Sequence, residues 1–241
     1  MIRTFPTAGD PRPSPLGWGR TLRVSFSALL RVRDRGQIVL FRSPARPDAF
    51  SPPGGVFKYF EPAAPELERL GFHEERGGPR GEGARFDLRG FVPYRARGRF
   101  CRWFAGAAFR EDAAQCLRRE LAEELAEVGF AGLTGRLRGL GLRPVGTSVE
   151  GPSPVPGKPY LQLRHFEILE LIAAPDRGIA LHRELLELAR DPAVDTVIGA
   201  TAAEVVHGRT AEGLVAPHSA LLFFSRRLHA DVPTLPWPET R

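Results

Sequence analysis

Glu111–Glu127 reads EDAAQCLRRELAEELAE, and the rest of the chain is organised around this stretch. Its leucines recur every four positions, at Leu117, Leu121 and Leu125, which predicts an amphipathic helix. A neighbouring stripe of that helix carries four carboxylates, those of Glu120, Glu123, Glu124 and Glu127. Like charges at helical spacing repel by about 0.2–0.5 kcal/mol per pair. Something in the folded protein must therefore compensate this acidic stripe.

Two explanations of the acidic stripe stay open from the helix alone. In the first, water and the nearby arginines Arg110, Arg118 and Arg119 balance the charge. In the second, a divalent cation binds there, because Mg²⁺ and Mn²⁺ prefer carboxylate oxygens and are shared with substrate phosphates. On a helical wheel Arg119 points away from the glutamates, so we expect it to pair with a neighbouring carboxylate such as Glu111.

The stretch resembles the signature of the Nudix hydrolases. That signature is a Gly, five residues, a Glu, seven residues, and then Arg-Glu-aliphatic-any-Glu-Glu-any-Gly-aliphatic. Its second part fits Glu111, seven further residues and then Arg119–Glu124, RELAEE. The family's Pro-Gly-Gly lead-in resembles residues 52–55, PPGG. Ala126 and Glu127 depart from the signature, because a Gly and an aliphatic residue belong there.

An interruption separates the two parts of the signature. About fifty residues lie between Gly55 and Glu111, where the family has five. Glu61 also lies five residues beyond Gly55, so two glutamates compete for one role. We favour Glu111 because its spacing to Arg119 is intact. From here on, residues 56–110 are called the interruption, and Glu111 together with Arg119–Glu124 is called the acidic motif.

The interruption resembles that of a subgroup, the Nudix domains associated with SMODS-type nucleotidyltransferases of bacterial nucleotide-signalling and anti-phage systems. In that subgroup an insertion follows Pro-Pro-Gly-Gly and carries an Asp-Leu-Arg element, with a Trp-Phe pair shortly before the glutamate. Residues 87–89 (DLR) and 103–104 (WF) match in kind and order. The Nudix resemblance covers roughly residues 20 to 230.

The resemblance implies hydrolysis of a phosphoanhydride in a nucleoside diphosphate linked to another group, with Mg²⁺ or Mn²⁺ as cofactor. Such ions neutralise charge at phosphorus and lower the pKa of a bound water. The implied roles are metal ligation by Glu123, Glu124 and the backbone carbonyl of Gly54, metal ligation or base catalysis by Glu120, and an orienting pair of Arg119 and Glu111.

Arginines and aromatic residues alternate near the end of the interruption. Such a mixture can hold a nucleotide, with guanidinium groups on phosphate and rings on the base. A two-sided strand with arginines outward and aromatics inward gives the same pattern. The residues that we expect to bind substrate are Arg89, Arg102 and Trp103, together with Gly55, where the backbone can approach a ligand closely.

The expected fold class is α/β (α+β), a Nudix-like mixed sheet sandwiched between helices with an insertion inside the signature. We divide the chain into a Pro-rich arm (1–20), a Nudix domain (21–232, inserted at about 58–97) and an irregular tail (233–241). The predicted strands are 22–32 and 37–41, which form a hairpin of the central sheet, and 100–109, 142–149, 160–172 and 194–198. The predicted helices are 61–72, 111–129, 179–190, 201–207 and 218–229, with a loop at 43–50 and a mobile loop at 77–83.

Composition narrows the partners. The chain has 241 residues, 42% of them apolar, which suits one sizeable core. Its net charge of +6 favours anionic partners, although the arginine that carries it also follows from a GC-rich genome. Two cysteines are too few for a disulfide framework or a zinc site. No signal peptide, membrane-spanning run or groove-reading motif is present, so we expect a cytoplasmic protein without membrane or nucleic-acid partners.

Two function classes stay open. A Mg²⁺-dependent nucleotide pyrophosphohydrolase is favoured by the intact Arg-Glu-x-x-Glu-Glu core. A nucleotide-binding sensor or effector with little turnover is favoured by the long interruption and by the subgroup's link to signalling, where partner proteins of the same operon are expected. The acids outside the motif that the sequence cannot rank as further site residues are Glu150, Glu167 and Glu204. We expect His165 to be a core residue and His218 to cap a helix.

Overall fold

The computed structural model describes residues 21–43, 46–75, 86–106, 109–138, 140–172 and 179–223. The predicted arm (1–20), loop (77–83) and tail (233–241) lie outside these ranges, and so do positions 224–229 of the last predicted helix. Within the ranges, no helix combines the length and the apolar character that crossing a membrane requires.

Strands, α-helices and short 3-10 helices follow one another along the described ranges. The strands are β1 (Thr21–Arg31), β2 (Arg33–Asp34), β3 (Gln37–Ser43), β4 (Arg46–Ser51), β5 (Gly54–Val56), β6 (His73–Glu74), β7 (Arg89–Pro93), β8 (Leu142–Pro154), β9 (Tyr160–Leu171), β10 (Val197–Thr201) and β11 (Leu214–Val215). The α-helices are α1 (Ala64–Arg69), α2 (Arg97–Gly106), α3 (Ala113–Glu127), α4 (Ile179–Leu188) and α5 (Ala202–His207). Short 3-10 helices lie at Glu61–Ala63, Tyr94–Ala96, Ala131–Leu137 and Pro217–Leu222.

The strands form two mixed sheets. The first has the order β6-β7-β1-β9-β8, with β5 also paired to β1, and the second has the order β10-β3-β4-β11, with β2 beside β3. β1 runs parallel to β9, and β4 runs parallel to β11. The predicted α/β class with a mixed sheet is confirmed. The predicted hairpin differs, because the turn at Arg35 and Gly36 joins β2 to β3 while β1 lies in the other sheet.

Two apolar clusters hold the layers together. The larger lies between the first sheet and the helices, where Leu117 and Leu121 of α3 join Phe26 and Leu30 of β1. The smaller lies between the two sheets and includes Leu29 of β1. Successive side chains of a strand point to opposite faces, so β1 contributes to both clusters and occupies the middle of the molecule.

The interruption departs most from the predicted structure. Residues 100–109 were expected to form a strand, but 97–106 form helix α2, whose buried Phe100 and Phe104 are one helical turn apart.

The predicted loop at 43–50 is also wrong, since β4 pairs with β3 there. The last predicted helix is, in its described part, a 3-10 helix. The structure agrees with the predicted helices and strands near 61–72, 142–149, 160–172, 179–190, 194–198 and 201–207.

Helix α3 has well-defined ends. At its start, Asp112 Oδ1 accepts from the backbone N–H of Gln115 (2.7 Å), and Gln115 Oε1 accepts from the backbone N–H of Asp112 (2.8 Å). This reciprocal capping box satisfies two backbone donors that the helix leaves unpaired. At its end, Gly129 has a φ of +93°, a left-handed conformation that favours glycine. The predicted end at Gly129 is confirmed.

The cap at Asp112 gives the first prediction. Asp112→Ala removes the acceptor for the Gln115 N–H and should lower the free energy of unfolding by about 1 kcal/mol. Urea unfolding measures the change. Glu127→Ala, at the other end of the same helix, is the matched control and should leave stability unchanged or slightly raise it, because it removes a negative charge near a helix C-terminus. Equal stability of wild type and Asp112→Ala would contradict the role of the cap.

Candidate functional site

The acidic stripe of α3 lies against the two glycines of β5. The side chains of Glu120 and Glu124 are largely buried, with residue exposures of 2% and 8%. The backbone N–H of Gly54 donates to Glu124 Oε2 (2.9 Å). Glu123 is more open, with a side-chain exposure of 42%. Solvation by water therefore does not explain how Glu120 and Glu124 are accommodated.

The glycine pair allows this close packing. A Cβ at position 55 would lie 2.1 Å from Cδ of Glu120, so any side chain there would displace the carboxylate. At Gly54, φ is +136° and a Cβ would lie 2.2 Å from the carbonyl oxygen of Ala28. Only glycine combines that φ with that contact. Gly55 thus lets α3 pack closely on β5, and Gly54 lets β5 approach the backbone of its neighbouring strand β1.

Arg119 compensates the buried carboxylates. Its Nε and Nη2 donate to the two oxygens of Glu111 (2.7 and 2.8 Å), and its Nη1 donates to Glu120 Oε1 (2.7 Å). Nη2 also donates to the carbonyl oxygen of Val56 (2.8 Å). Burial opposes the positive charge, but the hydrogen bonds and charges of Glu111 and Glu120 outweigh it and raise the pKa of Arg119. The predicted pairing with Glu111 is confirmed, and the expectation that Arg119 points away from the helix glutamates is wrong.

Glu111 lies close to the chain that follows Gly55, although about fifty residues separate the two in sequence. Its backbone N–H donates to the carbonyl oxygen of Lys58, and its Oε2 accepts from the backbone N–H of Lys58, both at 2.9 Å. An antiparallel bridge between Tyr59 and Arg110 lies next to this pair. The two ends of the interruption therefore lie side by side, and the chain enters the acidic motif next to the point where it left β5. Glu61 is exposed on a 3-10 helix, whereas Glu111 contacts Arg119.

The Asp-Leu-Arg element lies beside the start of the interruption. The backbone N–H of Leu88 donates to the carbonyl oxygen of Phe57 (2.8 Å), which fixes residues 87–89 against the chain that follows β5. Buried Asp87 lies 3.3 Å from Arg89 Nη2 and 3.8 Å from Lys58 Nζ. Burial raises the pKa of Asp87 to about 6, although the charges of Arg89 and Lys58 oppose the shift. Arg89 Nε also lies 3.9 Å from Glu75 Oε2.

The two other expected substrate residues lie on α2. Trp103 is half-buried and packs against Phe100, with 5.8 Å between their ring centroids. Arg102 is exposed on the same helix. The structure thus places Trp103 at the edge of the larger core and Arg102 at the surface. Gly55 lies against Glu120, whereas Arg89 is in register with Ser25, on the face of the first sheet that is turned away from α3.

The comparisons with known proteins identify the family. Residues 21–223 match the family described as the SMODS-associated NUDIX domain. The chain belongs to this family. The solution structure of the E. coli ORF135 protein aligns with 15% sequence identity over 87% of this chain and 90% of that chain, with a TM-score of 0.30. A comparison with curated proteins finds no match.

The strand register separates the acids that the sequence could not rank. In this SMODS-associated NUDIX domain, Glu204 accepts from the backbone N–H and the hydroxyl of Thr201, so it caps α5. Glu150 is in register with Arg164. Glu167 lies three residues beyond Arg164 on β9 and therefore on the opposite face. That face is covered by α3, because Glu167 is in register with Ala28, which is itself in register with Gly55. Glu167 is thus the acid of the three that shares a face with the acidic motif.

The structure places His165 against Phe26 of the larger core and His218 inside a 3-10 helix. The N-cap of that helix is Ala216, with no side-chain cap, so the expectation that His218 caps a helix is wrong. His165 stacks on Phe26 with 4.9 Å between ring centroids, which agrees with a core position, and its Nε2 lies 3.6 Å from Glu167. His218 lies in a 3-10 helix after Pro217, and burial, together with the charge of Arg46, lowers its pKa to about 4. It stacks on Phe166 at the junction of the two sheets.

The acidic motif has the donor chemistry for a hard divalent cation. Within the described ranges, no three His, Cys, Asp or Glu side chains converge into a preformed metal cage. Mg²⁺ seldom needs such a cage, because it binds through one or two carboxylates and completes its shell with water and substrate phosphates. Glu123 and Glu124, with the backbone of Gly54 at hand, fit that mode of binding.

The contact between Gly55 and Glu120 gives the second prediction. Gly55→Ala forces the Glu120 carboxylate out of its position and should lower the free energy of unfolding by about 1–3 kcal/mol, the usual cost of overpacking. Chemical unfolding measures the loss. Gly98→Ala is the matched control, since an added Cβ in α2 meets only an ordinary contact at 3.7 Å. That substitution should keep or raise stability. A Gly55→Ala protein as stable as wild type would refute the close packing.

Proposed function

We propose that this NUDIX domain hydrolyses a phosphoanhydride bond in a nucleoside diphosphate linked to another group, with Mg²⁺ or Mn²⁺ as cofactor. One observation carries the proposal. A single guanidinium, that of Arg119, fixes Glu111 and Glu120 at short distances, while Glu124 is held by the Gly54 N–H on the next turn. A retired site would have no need of three carboxylates packed so closely at a cost in repulsion and burial.

The residues of the acidic motif divide the work. Glu123 and Glu124, with the carbonyl of Gly54, would hold a divalent metal ion, and Glu120 would be a third ligand or the base. Such an ion would supply neutralisation of charge at phosphorus and a lower pKa for a bound water. Arg119 and Glu111 orient the carboxylates and the β5 backbone. Glu167 on β9 is a further acid for the same face, with the charge of Arg110 nearby.

The second candidate is a nucleotide-binding sensor or effector with little turnover. The contact between the interruption and the acidic motif favours it, because Asp87 pairs with Arg89 and lies 3.8 Å from Lys58, whose backbone N–H donates to Glu111. A ligand that binds the interruption would then affect Glu111 through the contacts of Asp87 and Lys58. The family's association with SMODS supports a role in cytoplasmic nucleotide signalling or anti-phage defence, with partner proteins of the same operon.

A hydrolysis screen separates the two candidates. Nucleotides, nucleotide sugars, dinucleotides and cyclic oligonucleotides are incubated with the protein and Mg²⁺ or Mn²⁺, and the products are resolved by chromatography. A hydrolase releases a phosphate-bearing product from at least one class. A sensor binds one class in calorimetry without product.

The third prediction concerns Glu124. Glu124→Gln should abolish metal-dependent turnover, because a neutral amide is a poor ligand for a hard divalent cation. The fold should survive, since the amide oxygen can still accept the hydrogen bond from Gly54. Turnover and melting temperature are measured together. Glu127→Gln, on the exposed end of the same helix, is the control and should keep full activity. Unchanged turnover in Glu124→Gln would contradict the assignment.

The fourth prediction concerns Arg89, for which we propose a phosphate contact. Loss of a charge-assisted contact of about 1.5–3 kcal/mol should weaken nucleotide affinity by about ten- to a hundredfold in Arg89→Ala. Titration calorimetry with a non-hydrolysable nucleotide measures it, with Arg99→Ala on the surface of α2 as the control. If Arg89 only pins the interruption through Asp87 and Glu75, the melting temperature falls and the affinity stays equal, which would refute the binding role.

A further inference from the structure

The face of the first sheet that is turned away from α3 divides into two parts. The apolar part packs on the second sheet and takes three residues from the central strands: Leu29, Phe166 and Ile168. The polar part lies further along the same two strands, with Arg23 and Ser25 on β1 in register with Gln162 and Arg164 on β9. Polar side chains on the central strands of a sheet need partners, because an unpaired buried polar group is costly. The polar side chains of this second part therefore need bonding partners of their own.

Two arginines of the polar part converge on one oxygen atom. With its amide oxygen turned toward them, Gln162 accepts from Arg23 Nη1 (2.8 Å) and from Arg164 Nε and Nη2 (2.9 and 3.2 Å). Arg23 also forms a bidentate pair with Glu75 (2.9 and 2.5 Å). Arg164 Nη1 forms an ion pair with the carboxylate of Glu150 at 3.7 Å. Each guanidinium thus has a carboxylate partner, and the two share a neutral acceptor at a point where an anionic oxygen would bind more strongly.

The arginine pair is half-buried and positioned in advance. The side-chain exposures of Arg23 and Arg164 are 17% and 33%, so each guanidinium is partly shielded from water but remains accessible. Both side chains arise from central strands, whose backbone is fixed by pairing on either side. A rigid pair of planar donors is the arrangement that suits a phosphate group.

A line of charges connects this pair to the acidic motif. Glu75 lies between Arg23 and Arg89, 2.5 Å from the first and 3.9 Å from the second. Arg89 in turn contacts Asp87, which lies next to Lys58. The line crosses from β7 through β1 to β9, a distance of about 10 Å for two strand spacings.

We propose that Arg23 and Arg164 bind a phosphate group of a nucleotide, and that the amide oxygen of Gln162 stands where a phosphate oxygen binds. This inference goes beyond the proposed hydrolysis, because the pair lies on the face of the first sheet that is turned away from the acidic motif. A ligand that reaches both this pair and Arg89 spans about 10 Å. The ligand class is therefore a nucleotide with phosphates at two separate places, such as a dinucleotide or a nucleoside bisphosphate.

The test uses pyrophosphate as the probe in the absence of metal, with EDTA present. The arginine Nε–Hε signals are followed by NMR during the titration, and Arg164 should show a saturable shift. Arg164→Met should weaken this binding about tenfold or more. Gln162→Ala should tighten it several-fold, because the phosphate no longer displaces an amide. Arg183→Met, an exposed arginine on α4, is the control and should bind like wild type.

A second titration tests the spacing of the two phosphates. Adenosine 3′,5′-bisphosphate should bind wild type at least tenfold more tightly than adenosine 5′-monophosphate, and Arg164→Met should remove that advantage. Equal affinities of the two nucleotides for wild type, or no binding of either, overturn the inference of two phosphate positions. An Arg164→Met protein that binds pyrophosphate like wild type, or an unshifted Arg164 signal, overturns the site itself.

Failure of this site and failure of the hydrolase proposal give different results. Glu124→Gln should bind metal-free pyrophosphate like wild type, because Glu124 lies on the opposite face of the sheet. If the hydrolysis screen yields no product while Arg164→Met still weakens pyrophosphate binding, the phosphate site stands and the hydrolase proposal fails. If turnover occurs and Arg164→Met leaves pyrophosphate binding unchanged, the hydrolase proposal stands and the site fails.

Discussion

The guanidinium of Arg119 is the interaction on which the acidic region depends. It is bonded to Glu111, Glu120 and the carbonyl oxygen of Val56, so one side chain joins α3, the chain before it and the end of β5. Breaking a buried ion pair by removing one partner costs about 3–5 kcal/mol, because the other charge stays uncompensated. Here two carboxylates would be left without their common partner. The positive charge of Arg119 allows a helix with many carboxylates to pack against a sheet.

Much of this region could be predicted from the sequence because it depends on local periodicity. The leucines of α3 gave its buried face, Gly129 gave its end, and the intact spacing between Glu111 and Arg119 predicted their contact. The direction of Arg119 could not be predicted, because a helical wheel places only the Cβ atom and a long side chain can fold back across its helix. The burial of Glu120 was missed for a related reason, since it depends on what lies opposite at Gly55.

Other features depend on register between distant strands, which no local pattern shows. Glu167 and Glu150 look alike in sequence, and only the pairing of β1, β8 and β9 places them on opposite faces. α2 was mistaken for a strand because arginines and aromatics alternate there, although the buried Phe100 and Phe104 are four residues apart, a helical spacing. The converging arginines on β1 and β9 are likewise separated by more than a hundred residues. Sequence spacing carries no information about such a contact.

The interruption is attached to the rest of the domain through a hydrogen-bonded stem. Its two ends run antiparallel from Lys58 and Tyr59 to Arg110 and Glu111, like the stem of a hairpin closed by hydrogen bonds. The entropic cost of closing a flexible loop rises only by about 0.6 kcal/mol for each doubling of its length. A stem of this kind therefore separates the size of the inserted chain from the geometry of the residues that it joins. The segment beyond the stem is nevertheless part of the core, because β7 pairs with β1, and Phe100 and Phe104 pack on Phe26. A foreign module grafted in its place would have to cover the apolar face of β1, whereas a change of length that spares these contacts would leave Glu111 beside Arg119.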